Sequence, residues 1–496
     1  MILSLVHYKL NTKKEVDQMS RRLAIFCAVV IVIGLAIPAF AAVQNVKVGG
    51  DLKVLGVVRS TFLLDQATPD GNVNAIVSIA RVRIDADLTD NISTTVRLLN
   101  ERAWGQEAAE NTTTTADGST EIDLDLAYVT LKEFLYSPLT LVVGRQELRY
   151  GNALIIGDPD TNGQVDARSP LAQMSLTNPG LEDLSARKSF DAVKAILDYK
   201  PLTIDLVYAK IDENNIAKTD DTTLMGVNAN YKVNDKLDTE AYLFSKVTDA
   251  AALSALDSNA HWPYRDDVVN TWGLRGVYTG LKDTILQLEA AYQSGIFSNE
   301  NLTFPNDTER AESADEQREA YALQAAVTYN PPIEKLKKYD TSVTASYTFL
   351  SGNEDGKTDG KYTGWDAMYE NQSGGTIFNS IMGFSNCKLI NVSLNMKPME
   401  DVGLGLDYYN ITLVQSVGYS GPTIFNLAGV AGAPLYTVTP DEKGLGNEVD
   451  LRLTYDYTED VQLGLNAGMF MPGAVFDKTT NRGTASQLIG SMKVLF

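Results

Sequence analysis

The sequence predicts an all-β protein: a transmembrane, antiparallel, up-and-down β-barrel of 18 strands. Three observations predict this fold. Apolar and polar residues alternate strictly in many segments, the connections between these segments alternate between short and long, and the chain ends in an apolar strand. We expect the barrel to occupy residues 42–496.

The alternation is clear in residues 76–89, where Val82 and Ile84 lie on one face and Arg81 and Arg83 on the other. A period of two residues is typical of a β-strand with one apolar and one hydrated face. Eighteen such segments can be counted from residue 52 to the end.

The loops set the topology. Turns such as Asn234-Asp235 are short, whereas 152–187 and 352–386 are long and polar. Outer-membrane barrels have short periplasmic turns and long extracellular loops, and an even strand number returns both ends to the periplasm. A large soluble sandwich would show the same alternation. The loop rhythm and the last strand favour the barrel. That strand ends at Phe496 and resembles the signal that outer-membrane assembly machinery reads.

The N-terminus predicts export. Arg21 and Arg22 precede an apolar run that ends at Ala39-Phe40-Ala41, as in a secretory signal peptide. We therefore assign 1–41 to a signal peptide, with 1–18 as an upstream extension and Met19 as the true start. An uncleaved N-terminal anchor is the alternative. Together with the barrel, this predicts a bacterial outer-membrane protein in contact with lipid and lipopolysaccharide.

Composition narrows the function. The net charge of −21 argues against nonspecific nucleic-acid binding. After cleavage the chain would keep one histidine, His261, and one cysteine, Cys387. A His cluster, a Ser-His-Asp set and an internal disulfide are therefore not expected. We predict that the protein is not an enzyme and needs no cofactor.

Charged residues interrupt the strand predicted at 139–151. Its two faces hold Arg145, Glu147 and Arg149 on one side and Val142, Leu148 and Tyr150 on the other. Arginine on the lipid face would cost about 2–4 kcal/mol at mid-depth. We therefore expect the charged face to point into a water-filled lumen and the apolar face toward lipid.

The other predicted lumen residues are both acidic and basic, and we expect most of the acids to pair with basic residues across strands. The early strands contribute Arg81, Arg83 and Arg97 beside Arg145 and Arg149, and later strands add Arg275 and Arg452. Rings of Arg or Lys select for anions in pores. The pattern predicts an anion-guiding path.

Several motifs resemble the alginate-export family of outer-membrane porins. They are "VGRQELRYGN" (143–152), "ARKSFDAVKAILDY" (186–199), "GNEVDLRLTYDY" (446–457) and "FMPGAVF" (470–476). The resemblance implies a monomeric 18-stranded barrel with an electropositive constriction for an anionic polysaccharide, partly closed by inward-folded loops. By motif position, the constriction would include Arg145, Glu147, Asp191 and Lys194. Asp191 and Lys194 differ in parity, so a bulge or a strand end would be needed to bring both into the lumen.

A stretch at 157–166, "GDPDTNGQVD", is similar to the start of a calcium loop. The candidate Ca²⁺ ligands are Asp158, Asp160, Asn162 and Asp166. The twelfth position, where a glutamate would complete an EF-hand, is Ser169. An ordinary Asp/Asn/Gly-rich turn is the alternative.

The function predicted from these features is passage of an anionic or polar solute, such as an acidic polysaccharide, through an Arg-lined outer-membrane channel. The alternative is a scaffold barrel that encloses or anchors a periplasmic partner protein, with the lumen charges as docking contacts.

Overall fold

The computed structural model describes residues 45–62, 64, 72–105, 122–159, 181–213, 221–249, 266–298, 315–353, 360–372, 374–381, 383–416, 439–478 and 482–496. The predicted signal peptide and His261 lie outside these ranges.

Eighteen long strands form a closed antiparallel barrel, and a two-residue strand, β14, accompanies them. The strands are β1 (Asn45–Ser60), β2 (Val73–Thr89), β3 (Ile92–Ala103), β4 (Asp123–Leu131), β5 (Leu139–Glu147), β6 (Ser189–Asp198), β7 (Leu202–Glu213), β8 (Asp221–Asn234), β9 (Leu237–Thr248), β10 (Asp267–Leu281), β11 (Thr284–Ser298), β12 (Asp315–Tyr329), β13 (Ser342–Leu350), β14 (Lys361–Tyr362), β15 (Cys387–Met399), β16 (Val402–Leu413), β17 (Gly444–Asp456), β18 (Val461–Pro472) and β19 (Ala485–Leu495). The predicted fold and strand number are confirmed.

Helical structure is minor in the described ranges. It consists of α1 (Glu334–Lys337), α2 (Phe378–Ile381) and a 3₁₀ turn at Glu182–Leu184. Within the described part of the chain, no helix has the length and apolar character to cross a membrane.

Each long strand pairs with its neighbours in sequence, and β13 pairs with β15 across the inserted β14. The ring closes where β1 pairs with β19 along Asp51–Ser60. Residues of one parity are exposed and those of the other are buried, as in β2, where Val82 and Ile84 are exposed while Val77 and Ile79 are buried. The exposed apolar residues form the lipid-facing surface.

The seam between β1 and β19 depends on a glycine. Gly50 exchanges two backbone hydrogen bonds with Phe496, of 2.8 and 3.1 Å. A Cβ on Gly50 would lie 2.4 Å from the carbonyl oxygen of Arg81 and 2.6 Å from the ring of Phe496. The ring of Phe496 therefore occupies the space that a side chain at position 50 would need. Recognition of Phe496 by the assembly machinery stays a prediction.

We expect Gly50→Ala to destabilise the barrel by about 1–3 kcal/mol, because the added methyl group overpacks the seam. The thermal unfolding temperature of the refolded protein measures this. Gly56→Ala is the matched control, since Gly56 lies in the same seam and its Cβ would meet nothing within 4 Å. Equal unfolding temperatures for the two variants would contradict the packing argument.

Candidate functional site: the barrel lumen

Two chain segments fold into the barrel and meet there. The first internal segment is residues 148–158, and the second is residues 363–372 with 374–381. The amide of Tyr369 donates to the carbonyl of Ile155 (2.9 Å), and the amide of Gly157 donates to the carbonyl of Tyr369 (2.7 Å). Ile156 and Tyr369 form a parallel β-bridge. The two segments therefore act as one internal unit.

An apolar core lies inside the barrel around this unit. Leu154, Ile155 and Ile156 are at most 1% exposed, and they belong to the same buried cluster as Trp365 and Tyr369. Apolar side chains can thus point into this barrel without meeting water.

Wall carboxylates hold the first internal segment through its backbone. The amide of Gly151 donates to Glu240 on β9 (2.8 Å), and that of Asn152 donates to Glu289 on β11 (3.1 Å). Tyr150 also donates its hydroxyl to Asp205 on β7 (3.1 Å). Several lumen acids are therefore structural acceptors.

Asp366 ties the second internal segment to the same side of the wall. Its carboxylate lies 2.8 Å from Nζ of Lys246 on β9 and 3.8 Å from Nη1 of Arg318 on β12. Its backbone amide donates to the Gln293 side chain (2.9 Å), and the Gln293 amide donates back to the Asp366 carbonyl (2.7 Å). The aspartate is held by two cations and a reciprocal amide contact.

The far end of the second segment docks on β17. Glu448 accepts hydrogen bonds from the amides of Ile377 (2.6 Å) and Phe378 (2.8 Å). Asp450 accepts from the amide and hydroxyl of Thr376, at 3.0 and 2.8 Å. Both carboxylates are buried. The internal unit therefore spans from β7–β12 to β17.

A basic cluster lies on the wall at the short-turn end of β1, β2 and β19. Lys47, Arg81, Arg83, Arg97 and Lys493 line a cavity of about 440 Å³, and the described carboxylates that line it are Asp51 and Asp85. Arg81 pairs with Asp51 at 2.9 Å, and Arg83 with Asp85 at 2.7 Å. Cations outnumber anions here.

Lys53 and Lys493 face each other directly in the seam register. No described carboxylate forms an ion pair with either lysine. Like charges directly opposite on neighbouring strands are destabilising, so this pair is a cost to the fold. The sequence analysis missed both lysines, although the parity of β1 places Lys53 on the same face as Asp51.

Most predicted path residues do face inward. Arg81 and Arg83 share the face of buried Ile79, and Arg97 shares that of buried Leu99. The remaining inward members are Lys194, beside buried Ala192; Arg275, which lies 3.6 Å from Glu240 and 3.7 Å from Glu289; and Arg452, 2.8 Å from Asp407. Their role in a solute path stays a prediction.

The face prediction for 139–151 is correct only in part: Glu147 reaches Arg97 and Arg149 lines an internal cavity, but the predicted lipid face is wrong. Val142, Leu148 and Tyr150 were expected against lipid, but all three are buried, at 8%, 1% and 6% exposure. Arg145 instead pairs in register with Asp191, on the same face as Val193, which is 40% exposed. The reason is the internal core: it receives the apolar residues that the alternation assigns to lipid.

The end of β5 also leaves the wall. The ladder between β4 and β5 stops at Ala127–Arg145. Beyond it, Glu147 reaches Arg97 on β3 (2.5 Å), and Arg97 also holds Asp125 (2.5 Å). Arg145 and Asp191, 3.3 Å apart, therefore lie where β5 and β6 turn away from β4. The structure does not bring Asp191 and Lys194 to one face.

The candidate calcium loop is only partly described. Asp158 is buried and forms an ion pair with Lys188. Asp160, Asn162 and Asp166 lie outside the described residues, so calcium binding stays a prediction. In the described ranges, no group of three or more His, Cys, Asp or Glu residues is arranged to hold a metal ion.

A closed 18-stranded barrel with an apolar outer surface and a lumen that holds many charged residues and inward-folded segments is an outer-membrane porin of the bacterial envelope. The family model described as alginate export matches residues 45–488, and the chain belongs to that family. Family and fold are those of channels. In this position the short-turn end faces the periplasm.

Solved porins share the fold. Acinetobacter baumannii OccAB1 is 11% identical with a TM-score of 0.51, and the match covers 92% of this chain and 98% of that one. Pseudomonas aeruginosa OpdO is 10% identical with a TM-score of 0.52, covering 92% and 98%. Pseudomonas aeruginosa OccK2 (OpdF), solved in complex with glucuronate, is 11% identical with a TM-score of 0.51, covering 92% and 99%. No curated protein matches the sequence.

Proposed function

We propose that this outer-membrane channel passes anionic organic solutes, with acidic saccharides as the class of cargo. The observation that carries the proposal is the pair Lys53 and Lys493, directly opposed inside the seam, with Arg81 on the adjoining strand. Two lysines that face each other destabilise the fold, and their presence is best explained if an anion binds between them and neutralises their charge. The other inward arginines described above each pair with a carboxylate, so the uncompensated positive charge is concentrated at the two lysines.

The acidic character of the whole chain does not oppose this. Many lumen carboxylates are occupied: Glu240, Glu289 and Glu448 accept backbone N–H groups, and Asp407 pairs with Arg452. A solute in the bore meets local fields, and these count for more than net charge.

We expect the double variant Lys53→Gln with Lys493→Gln to lose anion preference. Two unit charges removed from a narrow lumen should lower the anion-to-cation permeability ratio severalfold, equivalent to about 1 kcal/mol after screening. Reversal potentials across a planar bilayer under a salt gradient measure the ratio.

The control is Lys335→Gln with Lys337→Gln, which removes the same charge from helix α1 outside the strands. An unchanged ratio in the Lys53/Lys493 variant would contradict the proposal. A wild-type barrel that passes no ions would support the alternative, a scaffold for a periplasmic partner.

A further inference from the structure

A second cavity lies between the internal unit and the barrel wall, and it differs in chemistry from the basic cluster. It encloses about 260 Å³. Residues of β11, β12, β13 and β15 form its wall side, and both internal segments form its inner side. We call it the amide cavity, because its polar lining is dominated by Gln287, Gln324, Gln372, Asn152, Asn371 and Asn391.

Arg149 is the only charged residue among the described residues that line the amide cavity. It follows the end of β5, is exposed, and makes no hydrogen bond or ion pair with any described residue. In this it differs from Arg81, Arg97 and Arg452, each of which holds a carboxylate. A guanidinium binds a carboxylate through two parallel hydrogen bonds. Arg149 therefore offers one site for one carboxylate.

Part of the amide lining is fixed in place. Gln324 donates to Thr348 (3.2 Å) and accepts from Asn152 (3.3 Å), and Gln372 donates to the carbonyl of Asn152 (2.6 Å). These bonds hold the side chains in fixed positions at the cavity surface. The lining is thus preorganised before any solute enters.

Other amide groups remain available within the described structure. The Gln287 amide oxygen accepts from Arg275 at 3.4 Å, while its NH₂ group donates to no described residue. The Asn371 side chain makes no hydrogen bond with a described residue. An amide both donates and accepts, and so does a hydroxyl group. Such a lining suits a solute with several hydroxyl groups.

Size sets a further limit. Ligand cavities in proteins commonly begin near about 300 Å³, so this cavity admits a single small ring or short chain. A longer polyanion would bring further carboxylates, and the described lining holds no second cation for them.

We propose that the amide cavity binds one small polyhydroxylated monocarboxylate, a sugar acid, with its carboxylate on Arg149 and its hydroxyl groups on Gln287 and Asn371. This deepens the proposed function and rests on it: the basic cluster attracts anions in general, and the amide cavity selects among them.

Calorimetry on the full-length refolded barrel in detergent tests this with three probes. D-glucuronate carries both kinds of group, D-glucose has the hydroxyl groups without the carboxylate, and acetate has the carboxylate without the hydroxyl groups. We expect D-glucuronate to bind at least tenfold more tightly than either other probe. Equal binding of acetate and D-glucuronate would overturn the proposal.

Two variants assign the contacts. Arg149→Gln should weaken D-glucuronate binding about tenfold and leave D-glucose unchanged, whereas Gln287→Ala should weaken both. Lys337→Gln, on the periplasmic side, should change neither. If Arg149→Gln retains wild-type affinity for D-glucuronate while its heat-modifiable mobility shows a folded barrel, the cavity assignment is wrong.

The two proposals fail separately. If the Lys53/Lys493 variant shifts ion preference while Arg149→Gln leaves D-glucuronate binding intact, only the amide cavity is refuted. If Arg149→Gln abolishes binding while the lysine variant keeps wild-type preference, the sugar-acid site stands and the basic cluster loses its role.

Discussion

Asp366→Ala should release the second internal segment and raise the conductance of the channel. The carboxylate is the shared partner of Lys246 and Arg318, whose side chains are 9% and 4% exposed. Removing one partner of a buried ion pair costs about 3–5 kcal/mol. Here the loss falls on Lys246, because Arg318 keeps its pair with Asp267 at 2.8 Å. That loss falls on the docked state of the segment, so the undocked state gains population. Single-channel recording measures the change.

The control for this variant is Asp235→Ala. Asp235 is fully exposed in the turn between β8 and β9, and its removal should leave the conductance as in the wild type. Wild-type conductance in Asp366→Ala would show that Asp366 does not hold the segment.

The contact of Asp366 with Lys246 and Arg318 also makes docking of the second internal segment depend on pH in the acid range. Asp366 lies in a loop, where burial disfavours its charge but Lys246 and Arg318 outweigh that effect, so its pKa lies below the ordinary value of 3.8. A lowered pKa in the docked state stabilises docking above pH 3.8, and this contribution is lost as the pH falls through the lowered pKa. Wild-type conductance should therefore stay constant at neutral pH and rise only below pH 3.8, whereas Asp366→Ala should lack this step.

Glu448→Ala should detach the other end of the internal unit. Glu448 is fully buried and is the acceptor for the amides of Ile377 and Phe378. Each buried N–H that loses its acceptor costs about 1–3 kcal/mol, so the variant should lose roughly 2–6 kcal/mol of local docking free energy. Hydrogen–deuterium exchange at residues 374–381 should accelerate by at least tenfold.

A graded series makes this test sharper. Glu448→Gln keeps one carbonyl acceptor and should show an intermediate exchange rate. Glu459→Ala, in the exposed turn between β17 and β18, should exchange as the wild type does. Protection at Ile377 and Phe378 that survives Glu448→Ala would mean that Asp450 and the apolar core hold the segment without Glu448.

The strands could be predicted from sequence because lipid and water impose opposite demands on alternate residues. The predicted segment at 76–89 became β2 with its charged and apolar faces as expected. The prediction failed where a third environment exists. Leu148 and Tyr150 satisfy the pattern for lipid equally well when they enter an internal core, and nothing in a period of two residues separates these cases.

The candidate site was predicted in part for a related reason. Arg81 and Arg97 could be placed by parity within single strands. The position of Lys493 opposite Lys53 follows only from the pairing of the last strand with the first. Asp366 lies in the 352–386 stretch, which the alternation assigns to an extracellular loop. Its contacts with Lys246 and Arg318 join residues distant in sequence, and such pairs require the closed structure.

The pairing of the first strand with the last also constrains how the molecule is made. Until β19 reaches β1, the sheet has two free edges and an open side. The internal segments dock on β9, β11 and β17, all of which precede β19 in the chain. The internal segments can therefore dock while the sheet is still open. When Phe496 then pairs with Gly50, the closed barrel encloses segments that are already in place.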